Sequence, residues 1–246
     1  GWVGTVVEKQ LVDTSAMIAA IVGADPNSFN YFAEMETAGK CLEWVKDHLC
    51  LDEIGIFIEK KKITDRTEKA YTSLYDYMTE VIDSVPAGAN GIVVLPYFNG
   101  EKAPFEDPFA KGMIFGLQMG HTPADLYKAA LEGTACAIRH VLSRNPKQKN
   151  NAVVMGGGIN IPMLLQTVSD VTGCRQTTLE SYNGSLVGDA FIAGMACGLF
   201  TKRSEINAWV KAADTIIPRE ELKSIYDRKY QIYLELYERT AELMHR

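Results

Sequence analysis

Three consecutive glycines separate an apolar stretch from an amphipathic one between residues 152 and 173. The apolar stretch indicates a buried strand, and the segment after the glycines repeats apolar residues at helical spacing until it ends at Gly173. A second strand at 175–180 and a helix rich in glycine and alanine at about 186–200 follow. Strands that alternate with helices in this order pair in parallel, so the sequence predicts an α/β fold.

The glycine turn at 156–158 has two interpretations. Glycine adopts positive φ angles and leaves no side chain between the backbone and a flat ligand, and a helix that follows offers unpaired N–H groups to anions. The common nucleotide-binding patterns are absent, because the Rossmann pattern needs glycine at Ile161 and the Walker pattern fails at Glu34 and Cys41. On these residues alone a tight strand-to-helix turn is the simpler interpretation, and a ligand site is the alternative.

Two helices have clear sequence signals. The helix predicted at 122–142 has Thr122 as N-cap, Pro123 at its first position and Asp125 to complete a capping box. The segment from Pro218 onward is predicted to be helical throughout. Its tyrosines recur at steps of three and four, which indicates packing in the core or at an interface.

The other segments indicate a mixture of strands and helices. A buried strand is predicted to lead into a long loop rich in turn-forming residues, where functional sites tend to lie. The predicted ranges are 11–22 and 29–36 for two antiparallel strands, 91–95 for the buried strand, 112–119 for a further strand, and 39–49 and 70–85 for helices. Residues 51–70 indicate a hairpin or an insertion. Within it, Lys60, Lys61 and Lys62 are either a phosphate-binding patch or, as we favour, a solvated run of charges.

The composition limits the classes of function. With 246 residues, 47% of them apolar, and a formal net charge of -6, the chain is expected to be a folded acidic protein, which disfavours nonspecific nucleic-acid binding. Its five cysteines are widely spaced, so neither a disulfide framework nor a metal site is predicted. Because we find no secretion signal and no apolar run of membrane-spanning length, we expect a cytoplasmic protein without a membrane partner.

Three motifs follow one another along most of the chain. They are LPYFNGEKAPFEDPFAKG at 95–112, then GMIFGL at 112–117 with DLYKAALEG at 125–133, and finally GGGINIPMLLQTVSDVTG at 156–173 with GSLVGDAFIAGMACG at 184–198. In this order and spacing they resemble the C-terminal domain of the FGGY carbohydrate kinases. The first motif is most similar to the loop of xylulokinase-like members, with Lys102 in place of the usual arginine.

The resemblance implies a fold and an activity. The fold is actin-like or ribonuclease H-like, with a mixed sheet flanked by helices. Residues 1–246 would form the nucleotide-binding C-terminal domain, with an insertion at 51–70 and a terminal helix at 218–246. The implied activity is phosphorylation of a ketose or polyol hydroxyl with ATP and Mg²⁺. The sugar pocket and the catalytic aspartate would belong to an N-terminal domain that this chain lacks, so no catalytic residue is assigned here and the chain alone is expected to be inactive.

The resemblance also implies individual site residues. The residues that would contact the nucleotide are Gly156, Gly157, Gly158, Asn160, Thr14 and Ser15, the last two as a phosphate-contacting turn. In the loop that would face the cleft, Glu101 and Lys102 are the candidates. Asp13 stands where many members have glycine, and its carboxylate would repel phosphates.

A second hypothesis assigns the chain to another class of function. Under this hypothesis the chain is a noncatalytic actin-fold module for regulation or dimerisation whose nucleotide site has decayed. Asp13 and Lys102, which depart from the family pattern, suggest it. Under the kinase hypothesis the partners are ATP or ADP, a sugar bound through the missing domain, and, in a homodimer, a second copy of the chain.

Overall fold

The structure is a computed structural model that describes residues 1–64, 74–145, 150–180 and 184–246. Within these residues the chain forms nine strands and seven α-helices. The strands are β1 (Trp2–Val7), β2 (Val12–Asp13), β3 (Ile18–Val22), β4 (Phe29–Glu34), β5 (Val93–Leu95), β6 (Met113–Phe115), β7 (Asn151–Val154), β8 (Arg175–Leu179) and β9 (Ala212–Ile216). The helices are α1 (Ala38–Leu49), α2 (Leu51–Thr64), α3 (Leu74–Asp83), α4 (Pro123–Leu142), α5 (Pro162–Thr172), α6 (Gly184–Ala196) and α7 (Lys223–Met244). None of the described helices combines the length and the apolar composition needed to span a bilayer.

The strands form three sheets. The first is antiparallel with the order β1, β4, β3, β2, and the second is the antiparallel pair of β5 and β6. In the third, β7 pairs in parallel with β8, with Val153 opposite Thr177, and β9 joins β8 in the antiparallel direction. The parallel pair around the glycine turn confirms the α/β prediction. Strands β1 and β9 were not predicted from the sequence, and the prediction of one strand at 11–22 is wrong, because a turn divides it into β2 and β3.

Helix α4 is the centre of the core. It packs against α1, α5 and β5, so most of its residues are buried on several sides. Its small residues allow the close approach, since an added Cβ on Gly133 would lie 2.4 Å from the carbonyl oxygen of Val94 in β5. The predicted start is confirmed: Oδ2 of Asp125 accepts from the backbone N–H of Thr122 at 2.7 Å.

The C-terminal helix α7 begins later than predicted. The prediction of a helix from Pro218 onward is wrong at its start, because a 3-10 turn at Glu220–Leu222 precedes α7. Arg219 explains the delay: its backbone N–H and its guanidinium both bind the buried carboxylate of Asp170 on α5, at 2.8 and 2.6 Å. The tyrosine stripe packs in the core, as predicted, with Tyr226, Tyr230 and Tyr233 buried.

Residues 51–70, for which the sequence allows a hairpin or an insertion, are helical where the structure describes them. Leu51–Thr64 forms α2, so the hairpin interpretation is wrong there. Residues 65–73 and the side chains of Lys60, Lys61 and Lys62 lie outside what the structure describes. The helix predicted at 70–85 is therefore described only in part, as α3.

A buried ion pair joins α4 to α7. Nζ of Lys229 lies 2.5 Å from Oε2 of Glu132, and both side chains are almost completely buried. Lys229 also donates to the carbonyl oxygens of Gly88 and Ile92, and Oε1 of Glu132 accepts from the backbone N–H of Gly88 at 2.9 Å. The pair therefore also fixes the chain that enters β5.

We expect Gly133→Ala to destabilise the fold by about 1–3 kcal/mol or more, because its Cβ would overlap the backbone of Val94. The matched control is Gly39→Ala in α1, whose Cβ would meet no atom of the described chain within 4 Å and should leave stability unchanged or slightly raised. Urea unfolding measures both. Equal midpoints for the two variants would contradict the close contact.

We expect Lys229→Met to cost about 3–5 kcal/mol, because it leaves the Glu132 carboxylate buried without its cation. The double variant Lys229→Met/Glu132→Gln should be more stable than Lys229→Met alone, since it removes the unpaired charge. Lys223→Met is the control: it removes a lysine of the same helix from an exposed pair with Asp227 and should stay close to wild type. If Lys229→Met unfolds with a free energy as close to wild type as Lys223→Met does, the pair of Lys229 and Glu132 does not stabilise the fold.

Candidate functional site

The glycine turn is not a direct strand-to-helix connection. Gly156 has φ 93° and ψ -174°, a conformation that only glycine adopts without strain. A 3-10 turn at Gly157–Asn160 follows, and α5 begins only at Pro162. The proline causes the delay, because the residue before it is disfavoured in the helical conformation, and Ile161 accordingly has φ -120° and ψ 86°.

The glycine turn is open on its outer side. Gly156, Gly157 and Asn160 are exposed. A Cβ added to Gly156 or Gly157 would meet no described atom within 4 Å, and one added to Gly158 would meet only Leu164, at 3.6 Å. At Gly157, therefore, neither the backbone conformation nor the described packing requires glycine. The turn offers bare backbone on which a flat ligand could lie.

The start of α6 lies beside this turn. A Cβ on Gly184 would be 2.8 Å from Sδ of Met155, the residue directly before the glycines. The second half of the third sequence motif thus begins against the residue that precedes the first half. Helix α6 is strongly apolar, yet Leu186 and Ile192 are exposed.

The other predicted nucleotide residues lie on a different sheet. Thr14 and Ser15 are exposed in the turn between β2 and β3. Within the described residues this four-stranded sheet is not hydrogen-bonded to the sheet that carries the glycine turn. Oδ1 of Asp13 accepts from the backbone N–H groups of Ser15 and Ala16, both at 3.1 Å, and from the Ser15 hydroxyl at 2.6 Å. The hydroxyl bond is the main cause that lowers the pKa of Asp13.

In the loop at 96–112, Glu101 is a buried carboxylate that holds backbone groups. Its Oε1 accepts from the amides of Glu36 at 2.7 Å and Lys102 at 3.0 Å, and burial raises its pKa. Lys102 is exposed, and its ammonium lies 3.1 Å from Glu36 and 3.4 Å from Glu34. These contacts join the loop to the end of β4 and show how the loop is held in place.

A second carboxylate of the same loop binds the C-terminal helix. Asp107 accepts from the Tyr237 hydroxyl at 2.7 Å and lies 2.8 Å from Nε2 of His245. Burial alone would raise the pKa of Asp107, but the hydrogen bonds from His245, Tyr237 and the amide of Phe109 outweigh it and lower the pKa. Apart from the position of Tyr237 in the tyrosine stripe, no pattern in the sequence indicates this contact.

Two polar residues of the glycine-turn motif are also structural. Nε2 of Gln166 donates to Asp170 at 2.9 Å and to the carbonyl oxygen of Ile217 at 3.0 Å, and Asp170 binds Arg219. Gln166 and Asp170 therefore anchor α5 to the segment that leads into α7, and the described contacts give them no role at the glycine turn.

Solved structures of known proteins share the fold of this chain. The chain has the predicted actin-like, ribonuclease H-like fold, a mixed sheet flanked by helices. Over 98% of its length it resembles the structure of a ligand-bound xylulose kinase from Lactobacillus acidophilus, with a TM-score of 0.81 and 22% identity, covering 45% of that chain. A Plasmodium falciparum glycerol kinase structure with ADP is matched over 95% of this chain and 44% of that one, with a TM-score of 0.71 and 15% identity.

The chain belongs to the FGGY family of carbohydrate kinases, since the model of the family's C-terminal domain matches residues 3–197. A xylulose kinase of Staphylococcus epidermidis is 27% identical over 173 residues, which are 69% of this chain and 35% of that protein. The chain thus spans less than half the length of these relatives.

The Asp107 contact predicts how stability depends on pH. Because the pKa of Asp107 is lower in the folded state, its contribution is present above the unfolded pKa of about 3.9 and is lost as pH falls through the folded pKa. We expect Asp107→Asn to be less stable than wild type at pH 7, and the difference to shrink below about pH 4. The exposed control Glu238→Gln on α7 should follow wild type throughout. Urea unfolding between pH 7 and a pH below about 4 measures the free energies of unfolding. A difference between Asp107→Asn and wild type that stays constant over this range would contradict the lowered pKa of Asp107.

Proposed function

We propose that this chain is the nucleotide-binding domain of an ATP-dependent, xylulokinase-like carbohydrate kinase that phosphorylates a ketose or polyol hydroxyl. Family membership over residues 3–197 supports the kinase class. The similar proteins described above are named for xylulose, a ketose, and for glycerol, a polyol.

The open glycine turn is the observation that carries the proposal. Bare, exposed backbone at Gly156 and Gly157 suits the flat face of an adenosine, and Asn160 would contact its edge. The neighbouring start of α6 adds a helix N-terminus beside Met155. In the proposed site the phosphates, bridged by Mg²⁺, would extend towards the turn that contains Thr14 and Ser15.

Catalysis would need the rest of the kinase. Phosphoryl transfer depends on positioning and on charge stabilisation around an in-line geometry, so one wall of a cleft does not suffice. We assign the sugar pocket and the catalytic aspartate to the portion of the relatives that this chain does not span. A cytoplasmic location fits the five cysteines, all of which are free in the part of the chain that the structure describes.

One observation favours a second function. The turn that would contact phosphate already donates to Asp13, as expected for a regulatory or dimerisation module that no longer binds nucleotide. The two functions differ in whether the glycine turn binds a nucleotide.

Calorimetric titration with ADP and Mg²⁺ decides between them. Gly157→Val should weaken binding more than tenfold, a loss of about 1.4 kcal/mol or more, because the side chain would fill the space of the ligand. The variant should fold, since its Cβ has room in the described chain. Gly120→Val is the control, with an equally open Cβ in the loop before α4, and should bind as wild type.

Saturable binding by wild type and Gly120→Val, lost in Gly157→Val, would support the nucleotide site. Equal binding by all three proteins would show that ADP binds elsewhere. If the wild-type chain does not bind ADP, the noncatalytic module becomes the better function.

A further inference from the structure

Three donors in the turn between β2 and β3 point at one oxygen. The N–H groups of Ser15 and Ala16 and the hydroxyl of Ser15 all converge on Oδ1 of Asp13. Successive backbone N–H groups that face one point form a concavity that binds anions, including phosphate. In this chain the anion in the concavity is the turn's own carboxylate.

Neighbouring groups keep the Asp13 carboxylate ionised in this concavity. Its hydrogen bond with Ser15 lowers its pKa, and the positive charge of Arg144 acts in the same direction, so the carboxylate is ionised at neutral pH. A phosphate entering this concavity would have to displace the carboxylate from its donors and would meet its negative charge.

Resting on the function proposed above, we infer that Asp13 is an internal competitor for the nucleotide phosphates. The carboxylate occupies the donors that the phosphate would use, so adenosine contacts at the glycine turn supply most of the affinity. The chain would therefore discriminate poorly between adenosine and ADP, and removal of Asp13 would raise the affinity for ADP but not for adenosine.

A matched control lies at the other end of β3. Asp25 is also a half-buried aspartate in a turn, and its Oδ1 accepts from the N–H of Asn27 at 2.9 Å and forms an ion pair with Arg203. Asp25→Ala removes the same charge from a turn of the same sheet and releases Arg203 from its ion pair, but it opens no converging set of three donors. It separates a local effect at Asp13 from a general effect of net charge.

The experiment is titration of the 246-residue chain with adenosine and with ADP and Mg²⁺, for wild type, Asp13→Ala and Asp25→Ala. We expect wild type to bind the two ligands within about threefold, and Asp13→Ala to bind ADP about tenfold more tightly with adenosine unchanged. Asp25→Ala should behave as wild type. Asp13→Ala/Ser15→Ala should lose part of the gain, because it lacks the freed hydroxyl.

Asp13→Asn covers the case in which the alanine variant does not fold. It keeps an oxygen acceptor for the turn and removes the charge, so a smaller gain for ADP alone is expected. A gain that Asp25→Ala shares, or no gain in either Asp13 variant, would overturn the inference. The nucleotide function would still stand if adenosine binding is lost in Gly157→Val. If no variant binds adenosine or ADP, both the proposed function and the inference fail.

Discussion

The buried pair of Glu132 and Lys229 holds together parts of the chain that are far apart in sequence. Glu132 belongs to α4 and Lys229 to α7, and both bind backbone groups of the segment that enters β5. Two buried charges are tolerated only when they form an ion pair and their remaining hydrogen-bonding groups are also satisfied. Helix α7 is therefore fixed both along its axis and in rotation, which places Tyr237 and His245 over the loop at 96–112.

Helix α7 lies beyond the residues that match the family model, yet it supplies partners to residues inside the motifs. Lys229 binds Glu132, and Tyr237 and His245 bind Asp107. Two carboxylates that a search for catalytic groups would single out are thus used to dock this helix. An acidic residue in a motif of this chain is no guide to chemistry until its hydrogen-bond partners are known.

Features set by local sequence were predictable, and features set by distant partners were not. The strand, glycine turn, helix and second strand were predicted from spacing, and the α4 cap from Thr122 and Asp125, because each depends on residues a few positions apart. The start of α7 was misplaced because Arg219 is held by Asp170, 49 residues away. The position of Glu101 depends in the same way on the amide of Glu36, which no pattern within the loop reveals.

The glycine turn holds one more glycine than the described part of the fold requires. Gly156 is required by its positive φ, but Gly157 has neither such a φ nor a described neighbour that its Cβ would meet. A connection between a strand and a helix does not explain this second glycine, whereas the proposed flat ligand, lying on the backbone, would explain it. In the proposed site the adenosine end is thus bare, while the phosphate end is already occupied by Asp13. The bare adenosine end supports the kinase function, and the occupied phosphate end supports the noncatalytic module. The two functions therefore differ in what the carboxylate of Asp13 does.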